Sequence, residues 1–144
     1  MLTERLEYLS SQTSNHVCNN ARALYLSGYY FQCKTFKELA SEILFLELPK
    51  LITKEGYLRE GSSHYQFLFT RWMLEVNYFA RLASDLTLQA YLKPYLELLL
   101  KQCEFFLVKS NNGGRHIPLI GDISPDFSVD WLNNLPNSKE LINL

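Results

Sequence analysis

The chain has no CxxC pair, and its three cysteines, Cys18, Cys33 and Cys103, lie far apart. That spacing excludes a zinc ribbon or finger, and an odd count argues against a full disulfide framework. The thiols read as reduced and mostly buried. Charge of one sign is also missing: Lys+Arg 14 against Asp+Glu 15 leaves a formal net charge of -1. A balance this even offers no attraction to nucleic acid or to an anionic membrane. Long apolar runs are absent. The Leu96–Leu100 stretch is interrupted by Glu97, and it is far too short for a membrane span. Met1-Leu2-Thr3-Glu4-Arg5 leads into an amphipathic segment without an apolar signal core, so no secretory leader is expected and the compartment stays open. No Walker, dinucleotide-glycine, HExxH or GxSxG motif occurs, which removes the sequence-level case for those chemistries. No cofactor or metal is expected.

What is present is helical periodicity. The 144 residues suffice for one domain with a real core, and 47% are hydrophobic. Leu2, Leu6 and Leu9 recur at helical spacing. Ser14 or Asn15 can cap a second helix whose stripe is Val17, Ala21, Leu24, Tyr25 and Gly28, ending near Phe31. Thr35 and Glu38 fit a capping box for a third helix, with Leu39, Ile43, Leu46 and Leu51 toward the core. Pro49 should kink its last turn, and Gly56 should close it. A helix over 63–83 places Phe67, Thr70, Leu74, Asn77 and Tyr78 near one face. Ser84-Asp85 is a break. A last long helix over 87–108 carries Leu96, Leu99, Leu100, Cys103, Phe106 and Leu107, with Pro94 as a kink. Ser110 to Gly114 is a turn, 116–127 is loop-like, and Trp131 sits in one short helical turn. No strand alternates convincingly. The fold class is all-α: antiparallel helical hairpins in one domain.

The aromatic content, 14% with Tyr 9 and Phe 9, suits both sugar platforms and helix packing. One stretch gathers chemistry: Gly56-Tyr57-Leu58-Arg59-Glu60-Gly61-Ser62-Ser63-His64-Tyr65-Gln66. Ser62 or Ser63 reads as a helix cap. Arg59 and Glu60 read as solvated charge, or as a Glu that holds a catalytic group or a backbone amide. His64-Tyr65 occupies the first helical turn, where a Tyr can abstract or return a proton. Asn15-His16 also opens a helix, and such a start favours a bound anion. Asp122 and Asp126 flank Ser124-Pro125. They read as turn formers or as a rim loop that orients a site residue.

Two of these segments together resemble the heparinase II/III-like polysaccharide lyases. The first runs Ser14-Asn15-His16-Val17-Cys18-Asn19-Asn20-Ala21-Arg22-Ala23-Leu24, with Ser27-Gly28-Tyr29-Tyr30-Phe31 after it. The second is the Gly56–Tyr65 turn. Asn15 and Tyr65 are 50 residues apart. Pro118-Leu119-Ile120-Gly121-Asp122 is similar to a further family loop. The resemblance covers roughly 14–126. It implies part of an (α/α) toroid and β-elimination on an acidic polysaccharide containing uronic acid. It implies that Asn15 neutralises the uronate carboxylate and that Tyr65 serves as base and acid. His16, Arg59, Glu60, His64 and Asp122 would bind or support. Gln66 stands where many relatives have His. The family's β-sandwich is missing, so the chain is expected to be a fragment of the toroid, inactive alone, self-associating through an unclosed edge. Family members are commonly exported. The alternative is a non-catalytic helical carbohydrate-binding or interaction module.

Overall fold

The computed structural model describes residues 14–109 and 115–123. It holds four helices, α1 (Asn15–Tyr30), α2 (Lys34–Leu51), α3 (Ser63–Leu82) and α4 (Leu86–Phe106), then two strands of two residues each, β1 (Val108–Lys109) and β2 (Arg115–His116). The expected helix over Leu2–Leu9, the Ser110–Gly114 turn, Asp126 and the Trp131 turn lie outside the described residues.

Each hairpin is made by the same device. Phe31 ends α1, and Gln32 takes a left-handed φ of 53°. The Gln32 amide then donates to the Tyr29 carbonyl at 3.3 Å and the Cys33 amide to the Gly28 carbonyl at 2.9 Å. This is the Schellman pattern, with Gln in the place usually held by Gly. Ser84, with φ 54°, repeats it at the end of α3: its amide donates to Arg81 and the Asp85 amide to Ala80, at 3.0 and 2.8 Å. In both hairpins the last residue of the turn also holds the N-cap position of the next helix, and Asp85 caps with its side chain. Cys33 precedes α2, and the Asp85 carboxylate accepts from the Leu88 amide at 3.0 Å. The tight first turn corrects one expectation. Because Cys33 is already the cap, Thr35 and Glu38 fall inside α2 and no capping box forms.

The hairpins lie side by side, with α1 against α2, α3 against α4, and α1 against α3. Contacts along α1 and α3 run in the same order. Asn15 meets Glu60 just before α3, Arg22 pairs with Glu75 at 2.6 Å, and the Tyr29 ring lies 5.3 Å from that of Phe79. The two helices are therefore parallel. Fully buried Tyr25, Leu44, Leu48, Phe69, Met73, Leu88, Leu92, Leu96 and Leu99 fill the core between the hairpins. Each such side chain contributes about 1.5–3 kcal/mol by leaving water. The expected α1 stripe is buried throughout. Leu46, expected toward the core, is 61% exposed, and Tyr78, expected near one face with Asn77, is 52% exposed. Glu47 takes the buried position beside Leu46, and Asn77 is buried on the expected face.

Pro49 sits in the last turn of α2 without ending it. Proline has no amide to give to the carbonyl four residues back, that of Phe45. Tyr91 of α4 supplies the missing donor, its hydroxyl bonding that carbonyl at 3.0 Å. Helix α2 then stops at Leu51, so Gly56 is not its closing residue. Ile52 bridges to Leu58, and the Gly56 amide closes a turn on the Thr53 carbonyl at 3.0 Å. Gly56 is needed here twice over. Its φ is 96°, and a Cβ would come within 2.6 Å of the Leu98 carbonyl oxygen. The β1–β2 ladder pairs Val108 with His116 and Lys109 with Arg115, in a region read from the sequence as helix end, turn and loop.

Candidate functional site

The stretch between α2 and α3 positions the candidate residues by hydrogen bonds that reach across the fold. Ser14 precedes α1 but makes no side-chain cap. The Glu60 carboxylate does that work from 45 residues away: it accepts from the Asn15 backbone amide at 3.2 Å and from the Asn15 side-chain amide at 2.6 Å. A carboxylate at this place also meets the positive end of the α1 dipole. Asn15 is buried beneath it, while Glu60 keeps an exposed flank. His16, next along, is exposed.

Ser62 caps α3, its hydroxyl accepting from the Tyr65 amide at 3.1 Å. The same hydroxyl donates to the Asp122 carbonyl. Ser63 is a second anchor. Its hydroxyl reaches the Pro118 carbonyl at 2.6 Å and accepts from the Ile120 amide at 3.1 Å, and its own amide donates to the Ile120 carbonyl at 3.0 Å. Residues 117–123 thus form a strap across the start of α3. Gly121, with φ 76°, lets the strap close: a Cβ there would lie 2.6 Å from the Gly61 carbonyl oxygen. Asp122 takes part through its backbone, and its side chain is exposed. Ile117 packs beside Phe67, Cys103, Phe106 and Leu107 and fixes the other end of the strap.

Tyr65 is half-buried and packs on the core, its ring edge-on to that of buried His64 at 5.3 Å. Arg59 is exposed, and its amide donates to the Leu51 carbonyl at 2.9 Å. The arrangement therefore brings Asn15, Glu60, Ser62 and the start of the Tyr65 helix to one end of the paired hairpins. Asn15 and Tyr65 lean on the same short turn, one through Glu60 and one through Ser62. Two grooves among the described residues lie at the far end of α1 and α3. Among the described residues no cluster of His, Cys, Asp or Glu could hold a metal ion, and no helix is long and apolar enough to cross a membrane.

Gln66 belongs to no catalytic motif readable in the sequence. It is buried, its side-chain oxygen accepts from the Leu58 amide at 2.7 Å, and its nitrogen donates to the Gly56 carbonyl at 3.1 Å. The signal was a polar residue between Tyr65 and Phe67, next to the apolar stripe of a helix. A buried amide of that kind must be satisfied by something near.

Removing the Glu60 carboxylate should loosen both ends of this assembly. Glu60→Ala is expected to destabilise the fold by about 1–2 kcal/mol, the usual cost of a lost charged cap. Glu60→Gln should lose less, because its oxygen can still accept from the Asn15 backbone. Urea midpoints at unchanged slope read both effects. Equal midpoints for Glu60→Ala and the parent chain would show that the contact contributes nothing.

Comparisons with protein-family profiles, with curated proteins and with solved structures find no match.

Proposed function

We propose that the chain carries part of a polysaccharide lyase site, with the parallel α1 and α3 belonging to an (α/α) toroid. The observation that supports this reading is the double hydrogen bond from Asn15 to Glu60, which ties the two resembling segments into one assembly. In the proposed chemistry the uronate carboxylate meets Asn15 at the start of α1. An amide nitrogen carries two protons, so donation to Glu60 leaves one for a ligand. That donor and the helix dipole stabilise charge that develops on the carboxylate as the C5–H bond breaks. The C5–H electrons form the C4=C5 double bond, and the C4–O pair leaves with the departing sugar. Tyr65 takes the C5 proton and returns a proton to the leaving oxygen. His16 and Arg59 offer further donors to the polymer, while Glu60 and the Asp122 strap hold the frame. Glu60 itself is an anion, so the uronate must share Asn15 with it.

The test uses the full protein product of the gene, incubated with uronic-acid polymers while the ultraviolet absorbance of unsaturated uronate is followed. Absorbance is expected to rise, and Tyr65→Phe is expected to lower kcat by about 10²–10⁴-fold, the usual span of general acid–base catalysis. Tyr65→Phe should fold as the parent does, since the ring is retained. Full activity in Tyr65→Phe and in Asn15→Ala would overturn the assignment. So would the absence of unsaturated product from every uronate polymer.

A further inference from the structure

We propose that the groove at the far end of α1, lined by Tyr29, Tyr30, Gln32, Lys34, Lys37 and Ala83, binds one end of a carboxylated sugar chain. The ligand class rests on the lyase reading, but the groove stands on its own geometry. Its volume is about 410 Å³, within the roughly 300–1,000 Å³ of small-ligand clefts. It lies one helix length from Asn15, about 24 Å for the 16 residues of α1, so it is outside the candidate active site.

The charge of the lining is one-sided. Among the described residues that line it, the ionisable groups are Lys34, Lys37 and two tyrosines. Lys37 is held ready. Its stem crosses α1 at Gly28, where a Cβ would lie 2.8 Å from the Lys37 Cγ. A stem pinned in this way loses less freedom when its ammonium takes a ligand. Lys34 pairs with Glu38 at 3.2 Å, both side chains mostly exposed, and an ion pair so exposed is weak enough for a ligand to displace.

The aromatic lining suits the apolar face of a sugar. Tyr30 is 70% exposed. Its ring is braced at 5.8 Å by Tyr29 and at 5.6 Å by Phe79, while Tyr29 rests on Phe79. A braced, exposed ring is a stacking platform that needs little ordering. The Gln32 side chain is exposed at the rim and adds a neutral hydrogen-bonding amide. A carboxylated sugar uses all three: ring face, ammonium and amide.

The neighbouring groove limits the reach of the ligand. It shares Lys34, Lys37 and Ala83 but brings in Glu38, Glu42 and Asp85. An anionic chain is repelled there, so it enters past Tyr30 and stops. Affinity is therefore independent of chain length once the groove is full.

The test is isothermal titration of this chain with a galacturonic acid trisaccharide, a neutral glucose trisaccharide and inorganic sulfate. The acidic trisaccharide is expected to bind and the neutral one to bind more weakly. Lys37→Ala is expected to weaken binding ~10-fold or more, as loss of a charged hydrogen bond does. Tyr30→Ala should weaken it as well, and Lys93→Ala, an equal charge change on the exposed side of α4, should not. Longer acidic oligosaccharides should bind no tighter. Absence of binding, equal binding of the neutral sugar, equally tight binding of sulfate, or an unaffected Lys37→Ala would each overturn the proposal. If no uronate polymer is cleaved yet Lys37→Ala loses binding, the lyase reading fails and the groove stands. If cleavage occurs and Lys37→Ala binds normally, the reverse holds.

Discussion

Gln66→Leu is expected to destabilise the chain by about 3–5 kcal/mol, because two buried backbone groups lose their partners at once and each costs roughly 1–3 kcal/mol. The groups are the Leu58 amide and the Gly56 carbonyl. Leucine matches the size of the glutamine side chain, so the loss is of hydrogen bonding rather than of volume. Neither group can turn to water, since Gly56 and Leu58 are themselves buried, with Gly56 packed on the Leu98 backbone. The damage should also spread. Glu60 follows two residues after Leu58, so a loosened turn releases the Asn15 contact and with it the α1 cap. A double-mutant cycle with Glu60→Ala reads this: the two substitutions together should cost less than the sum of their separate costs. Additive costs would mean that Gln66 holds the turn without positioning Glu60. A Gln66→Leu variant as stable as the parent would remove the glutamine from the account altogether.

Raising the pH should unfold the chain. Cys103 and Cys18 are buried, and burial pushes both thiols from the ordinary 9.0 up to about 12, with neighbouring Glu47 adding to the shift at Cys18. In the unfolded chain these thiols ionise near 9.0, but in the folded chain they stay protonated. The unfolded state then binds fewer protons, and stability falls as pH rises. The contribution is fully present below the unfolded value and is lost between pH 9.0 and about 12. Each thiol removes about 1.4 kcal/mol per pH unit in that window, so the pair removes about 3. A domain of ordinary stability, roughly 5–15 kcal/mol, is exhausted within a few units at that rate. Tyr25 and Tyr91 act in the same direction at higher pH. Burial raises both phenols first, and the Asp85 carboxylate that accepts from Tyr25 at 2.9 Å adds to the effect. Urea midpoints should fall steeply above pH 9.0, and Cys103→Ala should halve the slope over the first unit. A flat profile there would show that the thiols are open to solvent. Thiol reagents give an independent reading, with Cys33, which is partly exposed, reacting before the two buried cysteines.

The helices were legible because apolar residues repeat at helical spacing, and the α1 stripe from Val17 to Gly28 is buried as read. So was the Ser62 cap, which is a local contact between a hydroxyl and an amide three residues on. What escaped was set by long-range contacts or by backbone geometry. The likeness of the two hairpin turns is one example. It rests on the left-handed backbone of Gln32 and Ser84, two different residues, and no internal period appears in the sequence. The tolerance of Pro49 is another, since it depends on a tyrosine from α4. The Asn15 partner of Glu60 lies 45 residues away, beyond any local pattern. Leu46 was misplaced for a third reason. Leu46 is one helical position from buried Glu47, whose Lys50 ion pair at 2.8 Å periodicity does not anticipate, while Tyr78 lies at the edge of the face on which Asn77 is buried.

The strap and the Glu60 cap have a consequence for the order in which the molecule assembles. Each hairpin can zip from its own three-residue turn, using contacts close in sequence, and such closures are fast. The Ser63–Ile120 and Asn15–Glu60 bonds span 57 and 45 residues, and their loop entropy is spent only after the hairpins exist to repay it. Among the described residues, the candidate site is then expected to form last and to open first. Amide exchange at Asn15, Ser63 and Ile120 should outrun exchange at Leu44, Met73 and Leu96 in the helix centres, in a partial opening that leaves both hairpins intact.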